Sequence, residues 1–237
     1  FFKEALKEDS NNPILIERVF LLELSEGDIP KAEDYAQQVL AFNSQQRMAR
    51  IVLGLRDFRA GKYDAARHNF AIAGYTPVDE LTSTLLTDWS YAAQKELTPA
   101  IKALDKLDSN ENFANFKSFH LALISDHLGN AMRADAAYKT AYENAGTSLR
   151  VVQAYGNFLS RNGRFDEAAK VYESYLQNSE GNPLITVALE QARKKEKPEP
   201  MIKSALGGAS EGLFSLATSM TDENAIDVGL VYTQLVV

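Results

Sequence analysis

The chain has 237 residues, 45% of them hydrophobic, enough to bury a substantial core in one or two domains. A balance of 25 basic against 32 acidic residues leaves a formal net charge of −7 with no cluster of five like charges. That excludes the concentrated basic face nucleic acid requires. With no cysteine, disulfides, thiolate metal sites and cysteine nucleophiles are excluded, and no apolar run reaches the ~18 residues a membrane span needs.

The opening "FFKEALKEDSNNP" carries one helical face (Phe2, Ala5, Leu6) that runs into a polar stop. It reads as a partial unit over 1–10, the back half of a second helix, so at least one further unit is expected upstream. Pro13 then begins a helix in the position where proline is tolerated, opening a two-helix unit over 13–42. Similar units follow near 47–76, 81–108, 115–145 and 149–179. The unit at 81–108 is the most degenerate, with Asp88 and Lys95 where its neighbours have glycine. Past residue 180 the pattern falters. Pro183 opens a first helix, Pro198 and Pro200 delay the second, and that second helix, with Gly207, Gly208 and Gly212, runs to about Met220. The last stretch, "ENAIDVGLVYTQLVV", reads as the start of a further helix, although its valines leave a strand open. Residues 181–237 are thus expected as a degenerate hairpin plus the start of another helix, continuous with the units before them.

The units keep a period of 34. Stepping back from Gly163 by 34 gives Gly129, Lys95, Gly61 and Gly27; from Ala168 it gives Ala134, Ala100, Ala66 and Ala32. From Tyr172 the series is Tyr138, Leu104, Phe70 and Ala36. A glycine just past a first helix takes the left-handed cap without a Cβ penalty. An alanine early in the second helix lets two backbones approach, and the aromatic four residues on lies on the same face, one turn along. Asp28, Asp64 and Asp166 follow the glycines and place negative charge near helix N-termini. A single hairpin of this kind cannot bury its apolar face; a stack of them can.

The segments "YGNFLSRNGRFDEAAKVYESYL" (155–176) and "LGLRDFRAGKYDAARHNFAIA" (53–73) carry a first-helix glycine, a turn glycine, an aromatic, a small alanine and a second-helix aromatic. In this the chain resembles tetratricopeptide repeat proteins over roughly 13–180. The resemblance implies an all-α fold, an α-α superhelix built as a solenoid of antiparallel helical hairpins, with a concave groove that binds extended peptides or partner helices. The degenerate repeats and the segment "SALGGASEGLFSLA" are similar to bacterial repeat proteins exported to the envelope, a lean towards periplasm or cell envelope.

In the 34-residue register the inward-facing candidates are Met48, Ile51, Leu55, Arg59, Phe116, Phe119, His127, Arg150, Gln153, Asn157 and Arg161. Trp89, the single tryptophan, is either a groove anchor or a core filler. Arg150, Gln153, Asn157 and Arg161 form one helical stripe suited to recognising a carboxylate or a backbone, the alternative being a solvated face. The family's clamp for a partner's terminal carboxylate is not expected, because Ile51, Leu55, Phe116, Phe119 and Leu123 stand where its polar residues would be. An apolar groove with a basic end is expected instead.

Other constellations carry no chemistry. His120 and His127 share a helix face but the neighbouring Asp126 points about 100° away from His127, and adjacent residues of Ser125–His127 diverge on a helix and cannot form a triad. Gly207–Gly212 lacks the Lys and Ser/Thr of a phosphate loop and reads as small-residue helix packing. Neither enzymatic activity nor a cofactor is expected. The reading is a non-catalytic interaction scaffold, a fragment of a longer repeat protein that holds a protein or peptide partner. Two alternatives stand beside it: the assembly or regulatory portion of a larger enzyme or envelope complex, and a self-associating module that docks through 223–237.

Overall fold

Several helices begin where a polar side chain caps them. In a computed structural model, which describes residues 1–74, 76–179, 181–219 and 226–235, the Oδ1 atoms of Asn12 and Asn182 accept from the second and third amides of helices whose first residues are Pro13 and Pro183. Thr76 and Asp79 form a reciprocal capping box around Pro77. Asp28 caps the helix it was expected to precede, accepting from the amide of Lys31. Helices end where the register predicts, at Gly27, Gly61, Gly129 and Gly163, with φ of 80°, 72°, 76° and 78°. Lys95, at the same register position, takes φ 62° without glycine's freedom. Among the described residues all regular structure is helical.

The chain divides into two compact units, the first formed by Phe1–Ala103 together with Ala205–Val237, the second by Leu104–Ser204. The division falls inside the most degenerate repeat. In the first unit, α1 (Phe2–Glu8) packs on α2 (Pro13–Glu26), which pairs with α3 (Ile29–Phe42); α4 (Arg47–Arg59) pairs with α5 (Tyr63–Ile72), and α6 (Pro77–Ala93) and α7 (Leu97–Leu104) follow. In the second unit two short 3-10 turns at Asp105–Ser109 and Glu111–Phe113 lead into α8 (Ala114–His127) paired with α9 (Ala131–Ala145). There α10 (Leu149–Arg161) pairs with α11 (Phe165–Gln177), and α12 (Pro183–Arg193) packs on both.

The periodic residues form the core. Ala32, Ala66, Ala100, Ala134 and Ala168 are all fully buried. A Cβ on Gly54 would lie 2.4 Å from the ring of Phe70, and one on Gly156 2.3 Å from the ring of Tyr172. First and second helices therefore close on each other through a missing side chain on one and an aromatic ring on the other.

The last helices depart from the sequence expectation. Helix α13 (Ala205–Ser219) starts after Pro198 and Pro200 as expected, and α14 (Ile226–Gln234) is a helix, not a strand; residues 220–225 and 236–237 of the predicted elements lie outside the described residues. Yet 205–235 do not extend the far end of the repeat series. They belong to the first unit, where α13 packs on α6 and on α14, and α14 packs on α2. Gly208 makes this contact: its Cβ would sit 2.3 Å from the Trp89 indole, so only a bare backbone fits there. At the other end of α6 the hydroxyl of Thr82 donates to the Val78 carbonyl (2.7 Å). Its single proton being used, it accepts from the Tyr232 hydroxyl at 3.0 Å.

Candidate functional site

The positions expected to line a groove are buried or half-buried within their units. None of the twelve candidate residues is exposed. In the first unit Met48, Ile51, Leu55 and Trp89 are buried, Trp89 completely, which makes it a core residue and not a free anchor. The register explains why. Trp89 is one period from Leu55, and Thr82 is one period from Met48, so α13 and α14 contact α6 at the groove positions. Arg59 is ion-paired with Glu33, and Arg47, beside Met48, with Asp79. One stretch of this surface stays open. A hollow of about 550 Å³ is lined by Leu21, Leu22 and Met48 on one side and by Leu230 and Val231 of α14 on the other, with Phe2 and Arg18 at its edge.

The self-association expected through 223–237 meets the same fact. In its described part, Tyr232 and Leu235 are buried within the first unit and Leu230 is half-exposed beside the hollow. The apolar face that looked unpartnered in sequence has an intramolecular partner.

In the second unit Phe119 is buried and Phe116 and His127 are half-buried, and the basic stripe of α10 is neither solvated nor vacant. Arg161 pairs with Asp126 of α8, and its Nε donates to the Asn157 carboxamide oxygen at 3.0 Å. That bond orients the Asn157 amide nitrogen, which donates to the backbone carbonyl of Glu199 at 2.8 Å. Arg150 donates to the Gln153 side chain at 3.2 Å. Residues 194–204, a non-helical strap containing Pro198 and Pro200, thus lie against α10. The strap is lightly held: most of its side chains are exposed, only Ile202 is buried, and Pro198 and Met201 are half-buried. Beneath it a cavity of about 210 Å³ is lined by Arg150, Gln153, Asn157, Ser160 and Tyr172, with Pro198 and Met201 at the rim. Asn157 lies two periods beyond Trp89. The same register position is therefore covered by an internal segment in both units, by the Gly208 backbone in one and the Glu199 carbonyl in the other.

Two buried titratable groups lie outside these surfaces. Asp88 on α6 is fully buried, and burial pushes its carboxyl well above the ordinary range. His120 on α8 is fully buried, and burial lowers its pKa to about 3, leaving a neutral imidazole in the core. Among the described residues no three His, Cys, Asp or Glu side chains gather as metal ligands would, and no helix is long and apolar enough to cross a membrane.

The self-covered positions were missed in sequence because the covering segments, 194–204 and 205–235, carry no 34-residue period. Their only signal was composition: glycines at 207, 208 and 212, and prolines at 198 and 200.

No protein-family model matches the chain, and no curated protein matches it in sequence. Solved structures do. A tetratricopeptide repeat protein from Parabacteroides merdae ATCC 43184 superposes with a TM-score of 0.62 at 13% identity, covering 99% of this chain and 90% of that one. The crystal structure of MamA protein superposes with a TM-score of 0.53 at 18% identity, covering 79% of this chain and 97% of that one. At such identities the likeness is one of fold: the chain is an all-α solenoid of the tetratricopeptide repeat type.

Proposed function

We propose that this tetratricopeptide-type solenoid is a non-catalytic scaffold for protein–protein interaction, and that the α10 face of its second unit is where an extended partner segment is read. The observation that carries the reading is the bond from the Asn157 amide to the Glu199 carbonyl, with Arg161 fixing the orientation of that amide. A side-chain donor aimed at a backbone carbonyl recognises chain conformation and not a particular side chain. Proline-containing segments suit such a site because they enter it already extended and lose little entropy. The adjoining 210 Å³ cavity is sized for one side chain of the segment, and its lining includes the polar Arg150, Gln153 and Glu196. The chain's own strap, "KKEKPEPMIKS", has this chemistry and stands in the site as an internal ligand.

The test is fluorescence anisotropy with a labelled peptide of sequence KKEKPEPMIKS and the whole chain. An external peptide competes with a tethered segment whose effective concentration is of millimolar order, so the unaltered chain should bind weakly. Loosening the strap with Pro198→Gly, Pro200→Gly and Met201→Gly should tighten binding by about tenfold or more, and adding Asn157→Ala should reverse most of that gain. Equal binding by the loosened chain with and without Asn157 would overturn the reading.

A further inference from the structure

We infer that the α13–α14 pair is an exchangeable element, and that the groove of the first unit takes the same pair from a second copy of this chain. The exchange concerns the groove of the first unit and, in the second, touches only the strap. Three observations carry it.

The first unit is discontinuous: its groove is formed by residues before 104 and covered by residues after 204. The covering element is joined to the rest by 194–204, a segment without helix, with two prolines that favour an extended course and mostly exposed side chains. The contact itself is specific. It requires a glycine over the Trp89 indole and a tyrosine hydroxyl on Thr82.

Energetics select the occupant. A foreign helix would have to outcompete a tethered one, against an effective concentration of millimolar order. A second copy leaves no surface unpaired, because each groove loses its own α13–α14 pair and regains an identical one, so that only the entropy of association and the altered course of the strap stand against it. Exchange of identical elements is the low-cost route to a dimer. It also leaves both 550 Å³ hollows lined as before, since Leu230 and Val231 move with α14.

A complementary pair of full-length variants tests this. Gly208→Leu puts a side chain where the Trp89 ring stands, so that α13 no longer fits its own groove. Trp89→Ala opens a groove that accepts it. When the two chains are unfolded together in urea and refolded, native mass spectrometry should show a 1:1 heterodimer roughly tenfold above the dimer content of either chain refolded alone. Wild type mixed from ordinary and ¹⁵N-labelled chains and refolded together should show mixed dimers whose fraction rises with concentration. The inference is overturned if the paired variants give no more dimer than each alone, or if wild type stays monomeric over a hundredfold (~10²) concentration range. The wild-type arm decides the matter should either variant fail to refold.

Discussion

At the scale of single residues, backbone geometry dictates identity more strictly than side-chain chemistry does. Lys95 occupies a turn whose four register equivalents are glycines, and it holds φ 62°. A left-handed L-residue costs about 1–2 kcal/mol, and glycine's extra freedom in the unfolded chain returns about 0.5–1 kcal/mol of that. Lys95→Gly should therefore stabilise the chain by about 0.5–1 kcal/mol, read as a rise in the urea midpoint at unchanged slope. The opposite holds at Gly156. Alanine there gains about 1 kcal/mol of helix propensity, but its Cβ would lie 2.3 Å from the buried Tyr172 ring. Overpacking of this kind costs about 1–3 kcal/mol and should win, lowering stability by up to about 2 kcal/mol on balance in the same measurement. A gain on Gly156→Ala would mean that the ring moves aside freely.

At the scale of elements, the periodic part of the fold was legible in advance and the aperiodic part was not. Turn positions, buried alanines and the Pro13 and Pro183 helix starts are local consequences of the 34-residue repeat, and each is found where the register puts it. What α13 and α14 pack against is non-local. Trp89 meets Gly208, and Thr82 meets Tyr232 across 150 residues of sequence. No spacing rule announces such pairs. Thr82 and Trp89 stand in the register of Met48 and Leu55, and Tyr232 and Gly208 of the same chain meet them there. The energetic weight of that cover can be read at Tyr232. Tyr232→Phe removes the donor to Thr82 while keeping the ring, and should cost about 0.5–1.5 kcal/mol. Amide exchange in α14 should rise with it, and unchanged exchange there would show that α14 is held by packing alone.

At the scale of the whole molecule, each unit holds one fully buried titratable group, and the two groups respond oppositely to acid. Asp88, in the first unit, stays protonated in the fold above the pH at which the unfolded chain ionises, near its ordinary 3.8. As pH rises above that value the unfolded state sheds a proton the native state keeps, so this group's effect is to weaken the first unit as pH climbs. His120, in the second unit, behaves in reverse. It is neutral in the fold down to about 3, whereas the unfolded chain takes up a proton below 6.5, so the second unit loses up to a few kcal/mol as pH falls from 6.5 towards 3. The single tryptophan reports on the first unit alone. On titration from pH 7 to 4, hydrogen exchange in α8 and α10 should rise and helical ellipticity should begin to fall while Trp89 emission stays native. Simultaneous loss of both signals would refute the split, and His120→Leu should flatten the acid limb of the ellipticity curve.

The discontinuity of the first unit also bears on how the chain is made. A ribosome delivers α2 to α6 first, then roughly a hundred residues that complete the second unit, and only afterwards α13 and α14; at ~5–20 residues per second that interval lasts about 5–20 s. Throughout it, Trp89, Leu55 and their apolar neighbours have been synthesised and their cover has not. The second unit can close upon itself in that time, but the first cannot. Nascent chains on neighbouring ribosomes, each waiting for the same late segment, are then the population in which apolar grooves are most concentrated, and a holdase that shields apolar helix surface would meet its substrate there.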